Sequence, residues 1–403
     1  MKVSRGERRR DSERRPVPSD RASRHPPAAT ALPYTQDVTT TPPDADIVRR
    51  LRVRLAEPFN AGPPLAELGR HPITPVDLFY VRNHGNVPAI DAGMHRLTVD
   101  GMVARPLTLW LRDLAARFER RTIVATVQCA GNRRAGLSAL APTRSPLQWE
   151  ADAIGTAEWS GFALDDVLAA AGVVPAAEHV AFLGGDTCRP SDGPVTAFGG
   201  SVPIEVARSG RVLLADRMNG APLTRIHGAP LRSVVTGYIG ARSVKWLTRV
   251  TVQDHPSDNW YQQRDYRLRL GSREQVASTK EGTMLGETAT TSAITEPAPG
   301  DQLTGPRITI RGYAVAGDGR EVARVEVSSD AGASWLPARV DDGPIGAWRL
   351  WQVDLDVEDG VHELVVRAWD DAGAGQPADV ADVWNPDGYM NTAWDRVTVL
   401  VAT

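Results

Sequence analysis

The sequence predicts an α+β domain with mixed sheets over residues 46–285, followed by an all-β, immunoglobulin-like sandwich domain over residues 286–403. A chain of 403 residues is too long for one ordinary hydrophobic core, so two domains are expected. In the first part, short strand patterns alternate with short helical patterns but lack the βαβ rhythm of a doubly wound sheet. In the last part, strand patterns recur at regular spacing with turn residues between them, which is typical of a β-sandwich.

The bulk composition argues against several classes of protein. The net charge of -3 is small and gives no whole-chain reason to expect nucleic acid or a membrane surface as a partner. Two cysteines, Cys129 and Cys188, are too few for a disulfide framework or for a cysteine-only zinc or iron–sulfur site. No apolar run is long enough to span a bilayer. No Gly-x-Gly-x-x-Gly motif follows a strand and no Walker-type loop occurs, so nicotinamide- and ATP-binding folds are not expected.

The first 45 residues differ from the rest of the chain. Arginines alternate there with Pro, Ser and Asp, and almost nothing can be buried, so a disordered basic tail is predicted over residues 1–45. Its paired arginines are reminiscent of a twin-arginine export signal. However, residues 16–31 lack the apolar core of a signal peptide, which favours a cytoplasmic location over export.

Periodicity locates the main elements of the first domain. Apolar residues recur at helical or strand spacing, and glycines end several of the runs. The predicted strands cover 79–81, 95–101, 122–127 and 179–183, and the predicted helices cover 111–118 and 164–171.

A change in composition marks the start of the second domain. Residues 283–299 are rich in Thr, Glu, Pro and Gly and are interpreted as a linker. Strands are then predicted at 308–315, 322–328, 348–357, 362–369 and 394–401.

The segment 122–134 contains the residues with the clearest chemistry. Its strand pattern leads to Cys129, and a Gly-Asn turn then presents Arg133 and Arg134. A thiolate suits a soft or high-valent metal and a guanidinium suits an oxyanion, so the pattern predicts a metal centre that handles an oxyanion. Taken alone, a single cysteine such as Cys129 is more often a small buried side chain than a metal ligand.

Two further stretches combine cations with tight turns. Residues 82–86 offer a guanidinium, an amide and an imidazole, and residues 227–246 offer His227, Arg232 and Lys245 among glycines. Cations and free amides in a glycine-rich loop are suited to bind phosphate, although a polar turn and a charged surface face are the simpler interpretations. The aromatic run 260–266 fits either the core or the wall of a site.

Four segments together resemble the sulfite oxidase family of molybdenum enzymes, in its prokaryotic form. They are Tyr-Val-Arg-Asn-His at 80–84, Val-Gln-Cys-Ala-Gly-Asn-Arg-Arg at 127–134, His-Gly-Ala-Pro-Leu-Arg at 227–232 and Gly-Ala-Arg-Ser-Val-Lys-Trp at 240–246. The resemblance implies a molybdopterin-binding α+β domain followed by an immunoglobulin-like dimerisation domain, and hence a homodimer. It also implies that this chain has no haem domain.

The resemblance assigns roles residue by residue. Cys129 is implied as the protein ligand of molybdenum. The implied molybdopterin-binding residues are Asn83, His84, Asp186, His227, Arg232, Ser243 and Lys245. The implied catalytic and substrate-lining residues, besides Cys129, are Arg82, Arg134, Trp149 and Tyr266.

The implied reaction is oxidation of sulfite to sulfate by oxygen-atom transfer, with electrons passed to a separate acceptor such as a cytochrome. Two alternatives stay open. The same cofactor suits a reductase for an oxidised sulfur compound or nitrate, and a chain that has lost the cofactor would be a non-catalytic dimeric interaction protein.

This chain departs from the family pattern at two positions. Eukaryotic members contribute a further substrate arginine in a Trp-Asn-Leu-Arg-Gly run, and here Asp387 occupies the place of that arginine. A carboxylate would repel an anionic substrate unless the loop directs it away or a cation such as Arg396 compensates. The second departure is Cys188, which is interpreted as an incidental thiol two residues beyond Asp186.

Overall fold

The computed structural model describes residues 44, 46–270 and 281–402, so the predicted tail lies outside the described residues except for Asp44. The helices of the described residues are α1 (Leu65–Leu68), α2 (Leu111–Arg117), α3 (Arg134–Leu140), α4 (Leu164–Ala171) and α5 (Ile204–Ala207). The strands up to the domain boundary are β1 (Arg52–Leu55), β2 (Asn60–Gly62), β3 (Arg96–Gly101), β4 (Leu107–Trp110), β5 (Arg120–Gln128), β6 (Ile154–Ala163), β7 (His179–Gly184), β8 (Gly199–Pro203), β9 (Val212–Met218), β10 (Ala221–Pro222), β11 (Arg232–Val235), β12 (Leu247–Gln253), β13 (Arg267–Leu268) and β14 (Thr283–Met284). The strands after it are β15 (Thr291–Glu296), β16 (Gln302–Thr304), β17 (Arg307–Val315), β18 (Val322–Ser328), β19 (Leu336–Pro337), β20 (Arg339–Val340), β21 (Arg349–Asp356), β22 (Gly360–Asp370) and β23 (Asp395–Ala402).

Besides the two-stranded sheets β1-β2 and β13-β14, the described residues of the first domain contain two larger sheets. One has the order β10-β9-β6-β5, with β11 also paired to β9, and the other has the order β4-β3-β12-β7-β8. In the second sheet β12 is parallel to β3 but antiparallel to β7. The prediction of mixed sheets is therefore confirmed. No helix among the described residues is both long and apolar enough to cross a lipid bilayer.

Strand β5 positions the central cysteine. It pairs with β6 along its whole length, from Arg120 opposite Phe162 to Gln128 opposite Ile154. The pairing ends immediately before Cys129, so the thiol lies at the point where the chain leaves the sheet. The predicted strand over 122–127 is thus confirmed, with slightly wider bounds.

The predicted strand at 79–81 is absent. Its backbone pairing is reduced to one isolated bridge between Val81 and Ala61. The reason is that Asn60, a fully buried residue of β2, holds the backbone two residues beyond Val81: its Oδ1 accepts from the backbone N–H of Asn83 at 3.0 Å. Side-chain bonds therefore replace the ladder that the apolar pattern suggested.

The second domain consists of two sheets around one apolar core. Their orders are β15-β17-β21-β20 and β16-β23-β22-β18-β19. The shared core includes Ile310 of β17, Val327 of β18 and Leu364 of β22, all fully buried. The β-rich character predicted for this part of the chain is confirmed.

The predicted linker over 283–299 was wrong in its middle part. Residues 291–296 form strand β15, and Thr291, Ser292 and Ala293 are buried in it. Small and β-branched side chains fit a closely packed strand although they offer little apolar area, which is why composition alone suggested a linker.

Arg133 joins the two domains. Its guanidinium, which is 7% exposed, donates to the backbone oxygens of Ala393 at 2.7 Å and Trp394 at 3.1 Å. It also forms an ion pair of 2.9 Å with Asp395 at the start of β23. The second domain is therefore fixed to the turn that follows Cys129.

Candidate active site

Cys129 occupies the first position of the turn after β5. Its side chain is buried, and its Sγ accepts a hydrogen bond of 3.4 Å from the backbone N–H of Gly131. The turn closes through a bond of 3.0 Å from the Asn132 N–H to the Cys129 carbonyl, and Arg133 then adopts a left-handed φ of 63°. The local fold thus directs a free thiol away from the sheet.

The thiol borders a cavity of about 50 Å³. Polar and aromatic side chains from the whole first domain converge on this cavity. Its walls are Phe79, Tyr80, Arg82, Asn83, His84, Val127, Cys129, Asp186, Phe198, His227, Arg232, Gly240, Ala241, Ser243, Lys245, Trp246 and Tyr266. All the candidate residues of the sequence analysis lie here except Arg134 and Trp149.

Asn60 supports the wall that carries Arg82 and Asn83. Its Nδ2 donates to the Asn83 carbonyl at 3.2 Å, and its Oδ1 is 3.4 Å from the Arg82 guanidinium. The sequence did not predict Asn60 as a site residue. The signal available there was weak, an asparagine in a stretch of Pro and Gly that any surface turn could contain.

Three basic groups lie together beside Asn83: Arg232 and His227, which are buried, and Lys245, which is partly buried. Lys245 Nζ donates to Asn83 Oδ1 and to the Ile226 carbonyl at 3.1 Å. Arg232 donates to the backbone oxygens of His227 at 2.9 Å and Ser243 at 3.2 Å. The backbone thereby holds these side chains before any ligand binds.

The electrostatics of this wall favour an anion. Burial lowers the pKa of Lys245 well below its usual range, and the charge of Arg232 lowers it further. Burial and then the charges of Lys245 and Arg232 lower the pKa of His227 to about 3. Burial also lowers the pKa of Arg232 to about 10. Basic groups that lower one another's pKa are stabilised in their charged forms when an anion binds, so this wall fits a negatively charged group such as phosphate.

Asp186 lies at the edge of the basic wall and is held by two donors. Its Oδ1 accepts from the Phe198 N–H at 3.0 Å, and its Oδ2 accepts from the thiol of Cys188 at 3.2 Å. Burial raises the pKa of Asp186. Cys188 is fully buried and its pKa is raised by burial and then by Asp186, so it is a protonated donor in the core.

Arg134 lies behind the cavity wall and not on it. Its guanidinium donates to the Gly388 carbonyl at 3.1 Å, Ser145 Oγ at 3.0 Å and the Leu147 carbonyl at 2.9 Å. These acceptors orient the side chain toward the second domain, and the guanidinium lies over the ring of Tyr389 at 5.2 Å.

Trp149 also lies behind the wall. It is fully buried and packs edge-on against Tyr80, with ring centroids 6.3 Å apart. Its indole N–H has no acceptor among the described residues. Trp149 therefore contacts the cavity through Tyr80.

Asp387 is directed away from the cavity by two arginines. Its carboxylate pairs with Arg269, whose side chain is 5% exposed, and with Arg144 at 3.0 Å. Arg396, which the sequence analysis considered as a compensating cation, pairs instead with Glu363 at 2.9 Å.

Comparisons with known proteins agree with this geometry. Residues 84–261 match the oxidoreductase molybdopterin binding domain, and residues 283–402 match the Mo-co oxidoreductase dimerisation domain. Sulfite oxidase of Gallus gallus is 41% identical over 383 residues, covering 92% of this chain and 82% of that protein. Mitochondrial sulfite oxidase of Homo sapiens is 41% identical over 398 residues, covering 96% of this chain and 70% of that protein.

Two further relatives extend the comparison. The barley nitrate reductase [NAD(P)H] (Hordeum vulgare) is 35% identical over 415 residues, which cover 96% of this chain but 46% of that protein. The sulfane dehydrogenase SoxCD of Paracoccus pantotrophus has a similar structure, with a TM-score of 0.73 and 25% identity over 94% of this chain and 96% of that chain. The expected molybdenum–molybdopterin cofactor is confirmed, and the chain belongs to the sulfite oxidase family of molybdopterin oxidoreductases.

Proposed function

We propose that this chain oxidises sulfite to sulfate and passes the two electrons to a separate acceptor, such as a cytochrome. The observation that carries the proposal is that a free thiol, Cys129, and an arginine, Arg82, border one buried cavity. The sulfite oxidases of chicken and man are the relatives that suggest the substrate. The net reaction consumes one water and releases two protons and two electrons for each sulfite oxidised.

The cofactor fits the residues of the cavity. Cys129 is the thiolate that would bind molybdenum, and Lys245, Arg232 and His227 would hold the anionic pterin phosphate. Asn83, Ser243 and Asp186 offer hydrogen-bond donors and acceptors around them. When bound, the cofactor supplies the oxygen-atom transfer and accepts the electrons.

The chain's own residues would bind the substrate and control protons. Arg82 would hold the oxyanion by charge-assisted hydrogen bonds. Tyr266 would donate a further bond to it, because burial raises the pKa of Tyr266 and keeps the hydroxyl protonated. Arg134 and Trp149 would act from behind, by supporting the residues that form the substrate side of the cavity.

The direct test is steady-state turnover of purified holoenzyme with sulfite and an artificial electron acceptor, beside measured molybdenum content. Cys129→Ser should abolish turnover while the circular dichroism spectrum and melting temperature stay those of the wild type. A fully metallated wild type that reduces nitrate or an oxidised sulfur compound, and does not oxidise sulfite, would contradict the proposal. The barley relative makes nitrate the first alternative to assay. A wild type without molybdenum after expression in a competent host would indicate a non-catalytic protein.

The second domain has a proposed role in assembly. The two sheets around one core support an immunoglobulin-like sandwich for residues 286–403, after a cofactor domain at 46–285. The match to the dimerisation domain supports a homodimer through this part of the chain. Sedimentation equilibrium tests it: a mass of one chain at micromolar concentration would contradict the homodimer. We propose the cytoplasm as its location.

A further inference from the structure

Tyr389 supports the cavity from the second domain. Its ring stacks on that of Tyr266, with centroids 5.3 Å apart and planes 19° apart. Tyr266 is 2% exposed and borders the cavity, whereas Tyr389, at 5% exposed, lies behind it. One face of the Tyr266 ring is thus covered by a side chain that the catalytic domain does not provide.

The hydroxyl of Tyr389 holds the residue before Tyr266. It donates to Asp265 Oδ1 at 3.0 Å. Asp265 and Tyr266 are adjacent in the chain, so Tyr389 fixes both the carboxylate and the ring of this pair. Burial raises the pKa of Asp265. The charge of Arg82 and the hydrogen bond from Tyr389 lower it, but by less.

The backbone and surroundings of Tyr389 are fixed as well. Asn385 accepts from its N–H at 3.0 Å and donates to its carbonyl at 2.7 Å. The guanidinium of Arg134 lies 5.2 Å from the centroid of its ring, and Arg134 also binds the preceding carbonyl of Gly388. Tyr389 is therefore preorganised before any anion binds.

We propose that Tyr389 is a positioning residue for the substrate anion: it holds the Tyr266 ring and, through Asp265, sets the charge balance around Arg82. The inference rests on the proposed function, since it names what orients the anion-binding side of the same cavity. The charged groups that face this pair are Asp265, Arg82 and Arg134, with Asp387 two residues before Tyr389 and bound to Arg269.

The test compares Tyr389→Leu and Tyr389→Phe in the holoenzyme. Tyr238→Phe is the matched control, because its hydroxyl also donates to a carboxylate, Glu287 at 3.3 Å, while its side chain does not border the cavity. The measurements are KM and kcat for sulfite and, independently of turnover, the dissociation constant of sulfate by calorimetry.

Tyr389→Leu should raise KM and the sulfate dissociation constant about tenfold while kcat changes by less than about threefold, since substrate and product anions share the wall. Tyr389→Phe keeps the ring stack and should raise both constants about threefold, through the loss of one hydrogen bond to a charged group. The control should leave both constants at wild-type values.

Two results would overturn the inference. Constants within about twofold of the wild type in both Tyr389 variants would show that the ring does not position the anion. An equal rise in the control would show general loosening. If Tyr389→Leu does not fold, Tyr389→Phe decides alone. A wild type that binds sulfate but does not oxidise sulfite would refute the proposed function, and the sulfate dissociation constants would still decide this inference. A wild type that neither binds sulfate nor oxidises sulfite would refute both.

Discussion

The hydroxyl oxygen of Tyr266 lies 2.7 Å from Nε2 of His84. Burial, then the charges of Arg82 and Lys245, lowers the pKa of His84 well below its usual range, so the imidazole is neutral. Because the imidazole is neutral, its tautomer decides which group donates, and an Nε2–H that donates to the phenol oxygen leaves the Tyr266 hydroxyl to donate to an anion. The pair therefore places a neutral donor beside Arg82, where an anion would bind.

Tyr266→Phe should lower kcat/KM for sulfite by about 10²-fold, the cost of one preorganised donor at a developing charge. The fold should be unaffected, because the phenyl ring retains its stacking on Tyr389. Steady-state kinetics together with the melting temperature check this. A variant with wild-type kcat/KM would show that the hydroxyl serves only to hold His84.

Arg82→Gln should weaken transition-state binding by about 2–4 kcal/mol, mainly through a higher KM for sulfite. Arg82→Lys should recover little of this loss, because an ammonium cannot donate two parallel bonds to an oxyanion. The measurement is KM at saturating acceptor. If the lysine variant matched the wild type, a point charge rather than a forked guanidinium would be sufficient.

Arg133→Gln tests whether the arginine beside Arg134 is structural. Its bonds to Ala393, Trp394 and Asp395 are buried between the domains, and loss of one partner of a buried ion pair costs about 3–5 kcal/mol. Urea unfolding should show most of that loss, since Asp395 is only 19% exposed. KM for sulfite in the folded fraction should be unchanged; a raised KM with unchanged stability would assign Arg133 to the anion instead.

The pair Arg133 and Arg134 shows how far the sequence could predict this site. The run of β-favouring residues at 122–127 predicted that Cys129 would lie at the end of a strand. The directions of the two arginines depend on the left-handed φ of 63° at Arg133, which the residue type does not specify. Arg133 consequently reaches the second domain and Arg134 the Gly388 carbonyl, although their adjacency in the sequence suggested one anion clamp.

Long-range partners explain what else the sequence analysis missed. Asn60 supports Asn83 from 23 residues away, and Tyr389 reaches Asp265 from 124 residues away. Neither residue lies in the four segments that carry the resemblance, since each acts through contacts with site residues that are distant in the sequence. The resemblance to a known family predicted the residues on the cavity wall. The residues that support them could be identified only from the fold.

The stability of the cofactor-free protein should decrease as the pH is lowered below about 6.5, the usual pKa of histidine. The pKa of His227 is lowered to about 3, so between these values the unfolded chain binds a proton that the folded chain does not. The free energy of unfolding then rises with pH, by up to about 1.4 kcal/mol per pH unit from this one group. Chemical denaturation at several pH values between about 4 and 7 measures this slope.

His227→Gln should reduce that slope, because glutamine does not titrate. The other buried groups are the same in both proteins, so the difference between the two slopes isolates His227. Identical slopes would mean that His227 is protonated in the folded state, contrary to its burial beside Lys245 and Arg232.

Asp387→Arg would place an arginine at the position where the eukaryotic family pattern has one. We expect it to destabilise the protein without lowering KM for sulfite, because the new guanidinium would face Arg269 and Arg144 in place of their shared carboxylate. Burying a like-charge contact at Arg269 should cost about 3 kcal/mol or more.

Two further variants separate the causes of this loss. The charge-swapped double variant, Asp387→Arg with Arg269→Asp, should recover part of the stability. Asp387→Asn removes the ion pair without adding a positive charge, so it separates the loss of the pair from the added repulsion. Urea unfolding and KM for sulfite measure both effects. A lower KM in the single variant would show that the loop can turn toward the cavity, and that Asp387 limits the affinity of the present site for its anion.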